Sequence, residues 1–217
     1  MKIDIKNLDF VIFDCDGVIL DSNKIKTEAF KEVLKKYPSQ LVEKLIKFHR
    51  YNGGISRKIK FQYFFDNIMK IKNNKNIIKD ALLQFEKIIF RKLLKAKYIR
   101  GVLKFIYLLK KNNIKIFIVS GGLEQELQKI FKHRKKKGYF NEILGSPRTK
   151  ENNVSQLIKK YSLNTKNGLF FGDSRIDYKV AKKFRINFLF ISEKSEWSDF
   201  KKLKKLKISK NFEKLYV

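Results

Sequence analysis

The chain has 217 residues, 43% of them hydrophobic, and carries 51 Lys and Arg against 21 Asp and Glu, a formal net charge of +30. That length and apolar content suit one domain, or a core with a smaller insert, and exclude a disordered chain. No apolar run reaches the roughly 18 residues of a membrane span, and the single cysteine, Cys15, excludes an intrachain disulfide or a Cys-rich zinc site.

The N-terminal stretch MKIDIKNLDF has early acids and no long apolar segment, so it does not read as a signal peptide. A soluble, cytoplasmic protein without a membrane partner is expected, and a monomer is assumed. The first strand signal is FVIF at 10–13. It is followed by about ninety residues without a strand pattern, too long for a crossover loop. Here apolar residues recur at helical spacing: Ile25, Ala29, Val33 and Leu34; then Phe61, Phe64, Phe65 and Ile68; then Leu82, Phe85, Ile88 and Ile89. A small all-helical domain over 23–95 is expected, with a loop at YNGGIS (51–56), inserted into a core formed by 1–22 and 96–217.

Beyond the insert, strand signals at 114–120, 142–145, 168–173 and 187–192 alternate with helical patterns near 101–112, 122–136, 150–161 and 175–184. The strand runs are continuously apolar rather than alternating, as in strands covered on both faces. An α/β fold with a mostly parallel sheet follows. The basic run KHRKKK (132–137) ends a helix, where cations suit the dipole. The high lysine content matches solvated helix faces better than a nucleic-acid surface, since no base-reading motif accompanies it. A nucleic-acid-binding protein using that basic surface is the alternative of another class. Under either reading the charge draws anions inward.

The strand ends carry the chemistry. Asp14 and Asp16 close the first strand two residues apart, on one side, with Cys15 turned toward the core. Ser120, Gly121 and Gly122 end the second strand and offer a hydroxyl and bare N–H groups, an anion cradle. Lys150 follows the third strand, and Asp173 ends the fourth with Asp177 four residues on. Ligands in open α/β sheets bind at such carboxyl ends. Four carboxylates with no histidine nearby call for a hard divalent cation, and Mg²⁺ suits them. With a cation offsetting their repulsion, the set suits phosphoryl transfer.

In these motifs the chain resembles the haloacid dehalogenase superfamily: DCDGV, Ser120, Lys150 and GDSRID stand in the family's order. The resemblance implies a Rossmann-like core with a helical cap and a Mg²⁺-dependent phosphatase acting on a small phosphorylated metabolite. Asp14 would be nucleophile and metal ligand, and Asp16 general acid and base. The Asp16 carbonyl and the Asp173 side chain would complete the metal ligands. Ser120, Gly121 and Lys150 would bind the phosphoryl oxygens, with Asp177 behind them holding a metal-bound water or Lys150. Asp16 argues against the dehalogenases, which lack this residue, and against the phosphonate-cleaving relatives. The loop GGISR is similar to the cap segment of β-phosphoglucomutases and related sugar phosphatases, which implies a substrate contact for Arg57. Where those mutases keep a histidine early in the first cap helix, this chain has Lys26, so a phosphomutase stands as the alternative. A raised pKa is expected for Asp16, a surface position or cap packing for His49 and His133, and packing roles for Tyr178 and Trp197.

Overall fold

In a computed structural model, which describes residues 2–215, six strands form one sheet in the order β3-β2-β1-β4-β5-β6. They are β1 (Phe10–Phe13), β2 (Lys115–Leu123), β3 (Glu142–Ser146), β4 (Gly168–Gly172), β5 (Asn187–Ile191) and β6 (Ile208–Ser209). Every neighbouring pair is parallel. The five expected strands are all present. The sixth has only two residues, sits in a lysine-rich stretch and left no apolar run to read.

Successive residues of each strand point to opposite faces, and both faces are covered. Val11, Phe13, Ile116, Ile118 and Phe171 pack into one core with α5 (Val102–Lys111) and α6 (Glu124–His133). Phe10, Ile12, Phe117, Val119 and Phe170 pack into a second with α7 (Lys150–Tyr161) and α8 (Arg175–Lys183). This two-sided burial is why the strands read as unbroken apolar runs. Phe13 stacks on Phe171 with ring centroids 5.0 Å apart, and Phe105 meets Phe171 edge-on at 5.4 Å.

Between β1 and β2 lie α1 (Asn23–Val33), α2 (Ser39–Tyr51), α3 (Arg57–Tyr63) and α4 (Lys75–Lys95). The chain continues from α3 through a wider helical turn at Phe64–Ile68. These helices share an aromatic core in which Phe30 packs on Phe61 and Phe85, with centroids 5.1 and 4.6 Å apart. The helix expected over 122–136 is shorter. β2 extends to Leu123 through a shift of register after Val119, and α6 starts only at Glu124. Among the described residues no helix is long and apolar enough to cross a membrane.

The topology fixes where a site can form. β1 is flanked by β2 and β4, so the chain leaves it toward opposite edges of the sheet, and a crevice opens beyond the strands' carboxyl ends. Phe13 pairs with Ile118 on one side and Phe171 on the other. The next residue on each strand therefore arrives at one level: Asp14, Val119 just before Ser120, and Gly172 just before Asp173.

Candidate active site

Asp14 leaves β1 with its N–H still bonded to Phe171 O at 2.9 Å. Its buried carboxylate accepts the Cys15 N–H at 2.7 Å and pairs with Lys150 Nζ at 2.9 Å. Cys15 is buried in the core, as expected. Gly17 then turns the chain at φ 74°, and a side chain there would collide with the Asp173 carboxylate. The glycine of DCDGV is thus required twice, for its backbone angle and for the approach of a second acid.

Asp173 follows β4. Its carboxylate accepts Asn23 Nδ2 at 2.6 Å, and its carbonyl accepts Ser195 Oγ at 2.5 Å. One turn on, Asp177 forms a capping box with Ser174, accepting Ser174 N at 3.1 Å and Ser174 Oγ at 2.5 Å. Its other oxygen accepts from Lys150 Nζ at 2.5 Å. Lys150 is the first residue of α7, whose start is capped by Thr149 on Asn152 N–H. Ligand oxygens of Asp14, Asp173 and Asp177 all lie within 4.8 Å of one another.

Three buried carboxylates around one ammonium repel each other. Burial pushes the Asp14 carboxyl up; Lys150 pulls it down, Asp177 and Asp16 push it further, and it stands at about 7. Asp173 is held well above the usual carboxylate range by burial and then by Asp14 and Asp177. Burial alone would lower Lys150, but its two carboxylate partners raise it above the ordinary lysine value. The cluster is short of positive charge, and its donors at hand are all oxygen. Both properties fit a hard divalent cation.

Asp16 stands differently. Its carboxylate accepts Ser22 Oγ at 2.6 Å and is ion-paired with Lys26. Burial pushes it up, but the Lys26 ammonium and the hydrogen bonds from Lys26 and Ser22 outweigh that and hold it below the usual carboxylate range. The raised value expected for Asp16 is therefore corrected: the neighbour that decides is a cation, not the second carboxylate.

On β2, the buried Ser120 Oγ accepts the Gly122 N–H at 3.1 Å. Gly121 lies directly beneath the loop that precedes α3: a side chain on it would strike the Gly54 carbonyl. That loop closes a small cavity of about 60 Å³ whose wall includes Asp14, Asp16, Gly121 and Asp173 on the sheet side. Arg57 and Lys60 line it from the helical side. Arg57 is engaged by Glu126 at 2.9 Å and lies 3.8 Å from Glu86, with its guanidinium 5.3 Å from the Phe85 ring centre.

Several cavity residues gave no signal in the sequence. Lys60, His49, Asn23 and Trp197 are brought in by the packing of distant elements. Lys60 was one basic residue among 51, two positions after Lys58 and three after Arg57. Glu126 lies on α6 beside Glu124, and no local pattern in the sequence pairs it with Arg57 at the start of α3. His49 and Trp197 do pack, as expected, but both also face the cavity. His133 lies outside it, bonded to Lys129 O at 2.9 Å.

The sequence model of the haloacid dehalogenase-like hydrolases matches residues 11–191. Among solved structures the fold is similar to a hydrolase from Pseudomonas syringae (TM-score 0.74, 17% identity, covering 94% of each chain). It is similar to a β-phosphoglucomutase from Clostridium difficile (TM-score 0.71, 16% identity, 94% of this chain and 92% of that one). A third likeness is to a predicted phosphoglycolate phosphatase from Haemophilus somnus (TM-score 0.69, 18% identity, 86% of each chain). No curated protein matches the chain.

Proposed function

Since the chain belongs to the haloacid dehalogenase-like hydrolases, we propose that it removes phosphate from a small phosphomonoester through a phosphoryl group carried on Asp14. The observation that supports this most is the meeting of Asp14, Asp173 and Asp177 within 4.8 Å around Lys150. The relatives named above as a phosphoglycolate phosphatase and a β-phosphoglucomutase agree with a small phosphorylated substrate.

Asp14 attacks phosphorus in line as the leaving oxygen departs on the opposite side. Asp16 gives its proton to the leaving oxygen, then takes one from the water that cleaves the acyl phosphate, so the carboxyl ends the cycle as it began. Lys150, Ser120 Oγ and the Gly121 N–H hold the phosphoryl oxygens, and Asp177 holds Lys150 in place. A divalent cation, Mg²⁺ by its preference for oxygen, would be held by the carboxylates of Asp14 and Asp173 and the Asp16 carbonyl, and would neutralise phosphoryl charge. The helices of 23–95 act as a cap, whose loop at Gly53–Gly54 covers the reacting groups and keeps bulk water out.

The test is release of inorganic phosphate from a panel of small phosphate esters, with and without Mg²⁺. Mg²⁺-dependent release that is lost in Asp14→Asn supports the reading. Isomerised hexose phosphate without release would favour a phosphomutase, and no turnover of any ester would overturn both.

A further inference from the structure

Four successive residues after β5, 193–196, each bind a different part of the molecule. Glu193 pairs at 3.0 Å with Arg100, in the segment by which the chain returns from the helices. Lys194 pairs at 2.8 Å with Asp21, in the segment by which it leaves β1 for them. Ser195 Oγ donates to the Asp173 carbonyl at 2.5 Å. Glu196 accepts from Thr27 Oγ1 on α1 at 3.1 Å and lies 3.5 Å from Arg50 Nε on α2. A short continuation of one sheet strand thus touches both connections to the helices, two of the helices themselves, and an acid of the site.

Asn23, the first residue of α1, closes this frame. Its amide nitrogen donates to the Asp173 carboxylate at 2.6 Å and to the Lys194 carbonyl at 2.8 Å. Both partners can only accept, so the amide faces them with its nitrogen and not its oxygen. Gly17 leaves the room for this meeting: a Cβ there would stand 2.1 Å from the Asp173 carboxylate and 2.5 Å from the Asn23 nitrogen. Asp173 is therefore held at both ends. A residue of the helices holds its carboxylate, and the segment on which those helices rest holds its carbonyl. A hydrogen bond of this kind fixes the direction in which a metal-binding carboxylate offers its remaining lone pairs.

We infer that Asn23 is a positioning residue that couples the seating of the helical cap to the carboxylate of Asp173, with 193–196 as the frame between them. The inference rests on the reading above, in which the helices are a cap and the strand-end acids hold a divalent cation. The groups assigned to that cation are the carboxylates of Asp14 and Asp173 and the Asp16 carbonyl, all outside 23–95. A cation held there favours the seated cap through the groups that bridge the two bodies. Lys26 also reaches across, but to the Asp16 carboxylate and not to its carbonyl. Lifting α1 takes Asn23 from Asp173 and leaves that carboxylate free to turn away from Asp14. The coupling is reciprocal: the factor by which a seated cap raises cation affinity is the factor by which the cation favours seating.

Hydrogen exchange read by mass spectrometry, in metal-free protein and at saturating Mg²⁺, tests this without turnover. In the wild type, Mg²⁺ should slow exchange at the strand ends, 14–17 and 172–177. It should also slow exchange in α2 and the loop at 51–56, which hold no ligand, by about 5- to 150-fold, the usual range of coupling between sites. In Asn23→Ala the Mg²⁺ effect on the cap should vanish while that on the strand ends persists at higher Mg²⁺. Mg²⁺ affinity by calorimetry should fall about 10- to 100-fold, the common cost of removing a group that orients a metal ligand. Thr27→Val loosens the cap at Glu196 without touching Asp173. It should speed cap exchange with and without Mg²⁺ and preserve the ratio between the two. Mg²⁺ protection confined to the strand ends in the wild type would overturn the inference, as would a ratio unchanged in Asn23→Ala or lost equally in both variants. No protection anywhere would overturn it together with the cation's place in the proposed chemistry. A cap that responds to Mg²⁺ through Asn23, beside esters that are never turned over, would support the coupling and sink the phosphatase reading alone.

Discussion

Lys26 and Asp16 form an ion pair that ties the first helix after β1 to the strand end that carries the proposed chemistry. It holds the Asp16 carboxyl low, which favours the form that accepts a proton from water over the form that protonates a leaving oxygen. Removing the ammonium takes away the strongest influence that lowers Asp16 and leaves burial, which raises it, opposed by the Ser22 hydrogen bond and the Lys150 charge. In Lys26→Met the limb of the pH–kcat/KM profile that reports Asp16 should move upward by about one unit or more. An unmoved profile would show that Lys26 does not tune Asp16. Asp16→Asn should lose about 10²–10⁴ in rate, the usual worth of general acid–base catalysis.

Gly121 and Gly54 set a steric test of closure. A methyl group on Gly121 would strike the Gly54 carbonyl, whereas one on Gly122 would meet Ser120 Oγ at 3.4 Å and Leu127 at 3.5 Å, ordinary contacts. Gly121→Ala should therefore lower kcat/KM by about tenfold or more, because the loop can no longer seat over the reacting groups. Gly122→Ala should cost markedly less. Steady-state kinetics of both variants, with circular dichroism to establish folding, decide the matter; equal losses would contradict this role for the loop.

Cation binding should depend on pH with a definite sign. Asp14 stands at about 7 and Asp173 well above its ordinary value in the metal-free protein. Both pKa values are raised relative to the unfolded chain, so these acids cost the metal-free fold stability as pH climbs from about 4 toward 7. A divalent cation binds only the ionised acids, so its affinity gains up to about tenfold per pH unit below 7. Thermal melting with and without Mg²⁺ should show a stabilisation that grows between pH about 5 and 8, reaching several degrees at saturation. A pH-independent shift would mean that the cation does not use these carboxylates.

Arg57 tests whether the cap contact is structural or for substrate. Its guanidinium is held by Glu126, which is itself buried. Glu126→Gln frees Arg57 while keeping the shape of its partner. If the pair serves to latch the helices onto the core, both Arg57→Gln and Glu126→Gln should weaken activity by similar factors of about 10, and the double variant should lose no more than either. A substrate contact would instead make Arg57→Gln much the worse of the two, with the loss mainly in KM.

The residues at strand ends were legible in the sequence because topology alone delivers them. Asp14 and Asp173 follow adjacent parallel strands, and Ser120 lies on β2 just past the residues that pair with β1, so apolar runs ending in polar residues sufficed to find them. Lys150 was found as the residue after β3, although its position comes from a helix start. The charge state of Asp16 was not legible, because its partner Lys26 lies a turn into a helix whose packing angle no local pattern gives. Lys60 and Trp197 face one cavity from α3 and from the segment after β5, and nothing in either segment announces the other. Helices between β1 and β2 were expected from the length and spacing of that stretch, but β6 was hidden by its two residues and its lysines.

Transfer of phosphorus to a carboxylate can be caught directly. The protein, mixed with a turned-over phosphate ester and Mg²⁺ and quenched in acid within one turnover, should yield a peptide carrying a phosphoryl group on Asp14. That adduct should be absent in Asp14→Asn and should disappear when the quench is delayed. A wild-type enzyme that releases phosphate with no acyl phosphate at any quench time, beside an Asp14→Asn variant that keeps its rate, would contradict the account.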